Sequence, residues 1–454
     1  MGATIDRRQF LGLGLATAGA VALDAVARPA PAGAQVTQAG DGPYGPLGAP
    51  DDNFVQLPAG FTSQELARHD RPVGPRGYLW HTFPDGGATF PVEGGWIYVS
   101  NSEIPNPGQG GAGALRFDTE GRIVDAYRIL GGTQSNCAGG PTPWGTWLSC
   151  EEHEAGRVWE CDPTGATQAV ARDAMGVFSH EAAAVDPNGH RVYLTEDEID
   201  GRLYRFMPTD YPDLAAGTLE VAVVDPDSVV TWEPVPDPSA ADAPTRAQIP
   251  ESAPFKGGEG IWYEHGHVYF TTTDDNRVWD YDTGSSELKV LYDPRNVPDA
   301  PLSGVDNITG TPGGDLFVAE DGGNMELVLL TPDGVAAPFL RVLGQDGSEI
   351  TGPALSPDGK HLFFSSQRGA GGGGITYMVT GPFRDAARAG ASDGDGRRTV
   401  RPGDGDGSAF PFVAVGGAGV LVAAGGLALL WVRARHRSDG APPEPDEAGE
   451  PGGP

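Results

Sequence analysis

The chain has 454 residues, 62 acidic against 30 basic side chains, and a formal net charge of −32. That balance argues against nucleic acid or an anionic membrane surface as partners, and it reads as a solvated, salt-tolerant exterior rather than as a site for a cationic partner. The 69 glycines and 41 prolines suit many tight turns, and an all-β domain commonly takes such a length as one unit.

The N-terminus reads as an address. Asp6 to Leu11, carrying the Arg7 and Arg8 pair, precedes a weakly apolar run from Gly12 to Val26, the pattern of a twin-arginine export signal. Ala32, Gly33 and Ala34 fit a cleavage site, so residues 1–34 are expected to be removed and Gln35 to become the first residue. The twin-arginine export machinery is the expected partner of this segment.

From residue 96 onward a short apolar strand ends six times in a polar, mostly acidic tail: Trp96–Glu103, Trp147–Glu152, Val192–Asp197, Val268–Asp275, Leu316–Asp321 and Leu362–Arg368. From the second copy their first residues are 45, 76, 48 and 46 positions apart. A repeat of strands and turns near that length is the period of a propeller blade. A segment closing in a Gly- or Pro-rich turn precedes most copies, as in Ser179–Gly189, Gly258–Gly266, Asp306–Gly314 and Gly352–Gly359. An alternating strand follows each copy, as in Gly113–Asp118, Gly201–Phe206 and Asn276–Tyr281. These inner, middle and third strands run antiparallel, so the start of an inner strand lies beside the end of a middle one. The prediction is an all-β, six-bladed β-propeller over 35–383, with one mouth lined by Cys137, Glu181, Glu259 and Asn307 together with Glu152, Glu196, Asp275, Glu320 and Arg368. The extra length between the third and fourth blades, around 208–256, reads as a Pro- and Asp-rich surface insertion.

Beyond the propeller, 384–408 is a Gly-, Asp- and Arg-rich linker. Residues 409–432 form a run of 24 without a charge, enough for a transmembrane helix. Arg433, Arg435 and Arg437 follow, which places the tail 433–454 in the cytoplasm and the propeller outside the cell membrane.

Twelve carboxylates are candidates for the mouth: Glu103, Glu151, Glu152, Glu181, Glu196, Asp197, Glu259, Asp274, Asp275, Asp306, Glu320 and Asp321. Strand alternation turns roughly half of them away from the axis. Those that converge would repel unless protonated or neutralised by cations, and calcium and ferric iron both favour carboxylate oxygen. The plainer reading is a rim of turn-forming, edge-protecting acids. Three cysteines leave one odd thiol. Cys150 and Cys161 flank a hairpin and could pair across it, leaving Cys137 free at the mouth; the rival pair is Cys137 with Cys150. Cys137 is thus a ligand, a disulfide partner or an inert buried thiol. The sixth copy breaks the acidic pattern with Gln367 and Arg368. A guanidinium there would clamp a phosphoryl or carboxylate oxyanion, or else pair with a neighbouring blade's acid.

The stretch from Asn136 to Glu152, NCAGGPTPWGTWLSCEE, resembles the signature of the PhoX-type alkaline phosphatases. Ser179–Pro187, Asp306–Thr309, Glu320–Gly323 and Ile350–Gly359 are similar to its later blocks, and the likeness, to a compact branch of that superfamily, runs over about 54–383. It implies a six-bladed propeller, twin-arginine export, and a mouth site with iron and calcium that hydrolyses phosphate monoesters. On that resemblance Cys137 would ligate iron, and Glu151, Glu152, Glu181, Glu259, Glu320 and Asp321 would share the metals. Two other functions fit the same repeats. A calcium-dependent lactonase-like hydrolase would need one metal and no thiolate. A non-catalytic surface propeller with structural calcium would need neither Cys137 nor Arg368.

Overall fold

The apolar runs bounded by Gly, Pro, Asn and Asp form strands; apart from a small hairpin of Pro72–Val73 and Tyr78–Leu79, they assemble into six sheets, antiparallel except where Gln38–Ala39 runs parallel to Val335–Val342. The computed structural model describes residues 35–384. Blade one is Pro84–Val92, Gly95–Ser102, Gly110–Asp118 and Ile123–Thr133; blade two is Asn136–Pro141, Trp147–Glu151, Val158–Cys161 and Val170–Ala171. Blade four is Gly258–Glu264, His267–Thr272, Arg277–Asp282 and Leu288–Tyr292. Blade five is Val305–Gly310, Leu316–Glu320, Glu326–Leu330 and Val335–Val342, extended by Gln38–Ala39 and Val55–Gln56. Blade six is Ile350–Leu355, His361–Ser366 and Ile375–Thr380, completed by Thr62–Arg68 from the other end of the chain. Each inner strand packs against that of the next blade, and the sixth against the first, so the ring is closed.

Blade three corrects one expectation. The segment 208–256 is not simply a surface insertion. Blade three starts with His180–Asp186 and Arg191–Glu196; its third strand, Leu203–Asp210, continues into Asp213–Val224 and Val230–Pro234, which become the fourth and fifth strands of that sheet. The Asp and Pro content marks its turns rather than its path.

The middle strands are apolar on both faces because each blade is covered on both sides. Six clusters of buried side chains fill the six seams between neighbouring blades, for instance Tyr98, Leu115, Phe363 and Met378 between blades six and one. This placement settles the cysteines. Cys150 packs in the seam with blade three, while Cys161 packs in the seam with blade one. In the hairpin Cys150 faces Val158 and Cys161 faces Trp147, so the two thiols lie on opposite faces of one sheet. A cross-strand disulfide is therefore impossible in this register, and all three cysteines are free and buried.

The expected export signal, the linker beyond Arg384, the membrane span and the tail lie outside the described residues. Among the described residues no helix is long and apolar enough to cross a membrane.

Candidate metal centre

All six inner strands start at the same face, and each carries a register shift just after its start: between Pro84 and Gly87, Asn136 and Gly139, His180 and Ala183, Gly258 and Ile261, Val305 and Ile308, and Thr351 and Ala354. A bulge bends the strand and re-aims a side chain. The bulge places the second residue of each inner strand at the axis: Asp85, Cys137, Glu181, Glu259, Asp306 and Thr351. The third residue is Gly or Ala in five of the six strands (Gly86, Ala138, Ala182, Gly260 and Gly352), because the strands nearly touch there; in blade five it is Asn307, whose Oδ1 accepts from Gly352 N at 2.7 Å. A Cβ on Gly86 would lie 2.5 Å from the Cα of Ala138, and one on Gly260 would lie 2.7 Å from the Cα of Asn307. Carbonyls freed by the bulges are met by the neighbouring blade. Asn101 Nδ2 donates to the carbonyls of Cys137 (3.0 Å) and Ala138 (2.8 Å), Thr271 Oγ1 to that of Asp306 (2.6 Å), and Thr351 Oγ1 to that of Pro84 (2.8 Å).

The middle strands supply a second tier, and alternation divides their acidic doublets. The first member of each pairs with the start of the inner strand and is used inside the blade. Glu151 accepts from Gln134 N (3.0 Å) and Trp159 Nε1 (2.9 Å). Glu196 accepts from Tyr204 OH (2.9 Å) and Arg246 Nη1 (3.2 Å), and Glu320 from Ser303 N (2.8 Å) and Glu326 N (3.0 Å). The second member, one residue on, belongs to the mouth: Glu103, Glu152, Asp197, Asp321, and in blade six Gln367. Asp275 is likewise engaged outside the centre, by Thr272 Oγ1 (2.6 Å) and Arg277 Nη1 (2.9 Å).

Three sets of donor atoms converge, each with all its atoms within 4.8 Å of one another: Asp85, Glu103 and Cys137; Cys137, Glu152 and Glu181; Glu181, Glu259 and Asp306. The sets share Cys137 and Glu181, so they form one arc running from blade one to blade five. Of the sequence-expected ligands, Cys137, Glu152, Glu181 and Glu259 lie in the arc. Glu151 and Glu320 are not in any of the three sets and serve as acceptors within their blades. Asp321 stands beside Arg368, whose Nη1 lies 3.1 Å from Glu349 Oε2 and 3.8 Å from Asp321 Oδ1. Arg368 keeps 42% of its side-chain surface exposed, so it can still reach a ligand in the mouth. Asp85 was not anticipated, and Glu103 and Asp306 were not singled out from the twelve. A shared pattern of an acid or Cys followed by Gly or Ala at the inner-strand starts, as in Cys137-Ala138, Glu181-Ala182 and Glu259-Gly260, would have found Asp85.

The electrostatics ask for cations. Glu181 is fully buried, and neither carboxylate oxygen has a hydrogen-bond partner. Burial first, then Glu152, Asp306, Asp85 and Asp197, holds its carboxyl well above the usual range. Burial and Glu103 push Asp85 up to about 7, and burial with Asp85 and Glu181 raises the Cys137 thiol well above its ordinary value. Positive ions at these positions reverse all three effects and give Glu181 its missing partners. The residues therefore fit a metal cluster with hard oxygen donors and one thiolate. His180 is a structural neighbour. Burial lowers its pKa to about 3, its Nε2 donates to the Gly176 carbonyl at 3.0 Å, and its ring stacks on Phe178. A groove of about 590 Å³ lined by Val224, Phe255, Trp279 and Leu288 lies on the flank of blades three and four and contains none of the arc residues.

A family model described as alkaline phosphatase PhoX matches residues 109–160 and 153–369. No curated protein matches the sequence. Among solved structures, the PhoX of Pseudomonas fluorescens in complex with vanadate, a transition state analogue, is 17% identical with a TM-score of 0.61, covering 72% of this chain and 96% of that one. A putative 6-phosphogluconolactonase from Bacteroides uniformis is 14% identical with a TM-score of 0.38, covering 63% of this chain and 79% of that one. A calcium-binding regucalcin from Agrobacterium tumefaciens is 14% identical with a TM-score of 0.37, covering 72% and 97%.

Proposed function

Because the chain belongs to the alkaline phosphatase PhoX family, and is thereby a metal-dependent phosphomonoesterase, we propose that the arc from Asp85 to Asp306 holds its metals and that Arg368 grips the phosphoryl group of the substrate. The observation that carries this reading is Glu181, a fully buried carboxylate without partners that belongs to two donor sets at once. Cys137, Glu152, Glu181 and Glu259 hold the ions together with Asp85, Glu103 and Asp306. The oxygen-rich sets suit calcium, and the sets containing the Cys137 thiolate suit iron. When bound, such ions supply Lewis-acid polarisation of phosphoryl oxygens. Asp321 and Glu349 hold the guanidinium of Arg368 at the sector that the arc leaves open, where it can donate two parallel hydrogen bonds to a phosphate oxyanion.

A charge-assisted contact of this kind is worth roughly 1.5–3 kcal/mol, so Arg368→Ala should slow phosphomonoester turnover about ten- to a hundredfold with metals still bound. Arg368→Lys should recover only part of that loss. Wild-type turnover in Arg368→Ala removes Arg368 from the chemistry. Elemental analysis should find iron and calcium, and a metal-loaded wild type inert toward phosphate monoesters would overturn the reading as a whole.

The enzyme works outside the cell membrane and is tethered to it, with export carried by Arg7 and Arg8 and the anchor by residues 409–432. Replacing both arginines by Lys should trap precursor inside. Protease added to intact cells should release a soluble propeller, and protection of that domain would contradict the orientation.

A further inference from the structure

Blade six gives the arc no metal-ligating side chain. At the register where the other blades present Glu103, Glu152, Asp197, Thr273 and Asp321, it presents an amide, Gln367, which is 2% exposed. Its Nε2 donates to Asp85 Oδ2 at 2.7 Å and to Glu103 Oε2 at 2.6 Å. Asp85 is 1% exposed, and its other oxygen, Oδ1, accepts from Gly86 N at 2.6 Å. One amide thus bridges the carboxylate of the inner strand of blade one and that of the residue just after its middle strand, both members of the set that includes Cys137. The nitrogen must face the pair, because an amide oxygen there would stand against two anions.

We propose that Gln367 is a positioning residue for the metal site formed by Asp85, Glu103 and Cys137. This rests on the metal-centre reading above. Two adjacent carboxylates repel one another when no ion is present. A neutral group with two N–H donors holds the carboxylates together without cancelling the charge that attracts a cation. A lysine or arginine at this position would neutralise the pair and compete with the metal, and a glutamate would add a third anion. The amide also reaches across the seam between the last blade and the first, so this site is ordered only when the ring is closed.

The test is the metal content and spectrum of the full chain bearing Gln367→Leu, with Gln367→Met as a second variant of equal reach should the first not fold. Loss of such an outer contact typically costs ten- to a hundredfold in affinity. The variant should lose one metal equivalent under mild chelation that leaves wild type loaded. Its thiolate-to-metal absorption band should shift or weaken, while the equivalent held by Glu181, Glu259 and Asp306 remains. Gln367→Glu should lower the thermal midpoint of the metal-stripped protein and regain it on reloading. Full metal content with an unchanged band in the folded Leu or Met variant overturns the proposal, and so does an equal loss from every site. A wild type that binds no metal defeats the metal-centre reading instead, so the two failures are distinguishable.

Discussion

Glu181 is the residue on which the centre turns, since two donor sets share it. Glu181→Gln keeps the size and removes the charge. It should release two metal equivalents, whereas Glu259→Gln should release one, as read by elemental analysis of the folded variants; equal losses would show that Glu181 is not shared. The buried acids also set how the metal-stripped protein responds to pH. Burial raises Glu196 to about 7 and Glu320 to about 8, and burial with Glu103 raises Asp85 to about 7. A carboxyl with a raised pKa in the fold stabilises it fully below the unfolded value near 4, and that stability is lost as pH climbs through the folded value. The thermal midpoint of the stripped protein should therefore fall between about pH 4 and pH 8. Adding metal should remove the part due to Asp85 and leave the part due to Glu196 and Glu320. A midpoint that rises over this interval would contradict these assignments. Thiol titration of the unfolded wild type should find three free thiols, because Cys150 and Cys161 face different seams.

At the level of the element, the bulged start of the inner strand makes the site. Five of the six carry Gly or Ala as the third residue, and Gly86 is the tightest test among them, since its added Cβ would meet the Ala138 backbone. Gly86→Ala should cost about 1–3 kcal/mol, as overpacking does, measured by denaturant unfolding; a neutral result would mean that the two strands can part freely. The strands, their period and the acidic tails were legible in the sequence, because apolar runs and turn residues are local signals. The division of labour within Glu151-Glu152 and Glu320-Asp321 was not legible. It depends on which residue faces the start of the inner strand, and one step of register exchanges the two roles. The bulges hid Asp85 for a related reason, since they interrupt the alternation by which an inward position is counted. The fifth strand of blade three was masked by the turn-rich composition around it.

At the level of the whole molecule, the ring is closed by pairing Thr62–Arg68 with Ile375–Thr380, the first large strand with the last. A chain beginning at residue 70 would leave blade six with an open edge. It should lose the single cooperative melting transition and aggregate, and a cooperative melt would show that three strands suffice. The direction of these strands has another result. Inner strands run away from the mouth and middle strands return, so Ile375–Thr380 descends to the opposite face, where Arg384 pairs with Asp315 in the turn after an inner strand. Thr62 lies opposite Thr380, and Gln38 opposite Val335 at the beginning of an outer strand, so the chain also enters on that face. Both ends of the propeller are therefore handles on the side remote from the chemistry. A chain ending at Arg384 and fixed to a bead through that end should still cleave a phosphate ester carried on a bulky polymer. Fixing it instead through Ile199→Cys, in the mouth-side turn of blade three where the native side chain is 74% exposed, should block the polymer while small esters still react.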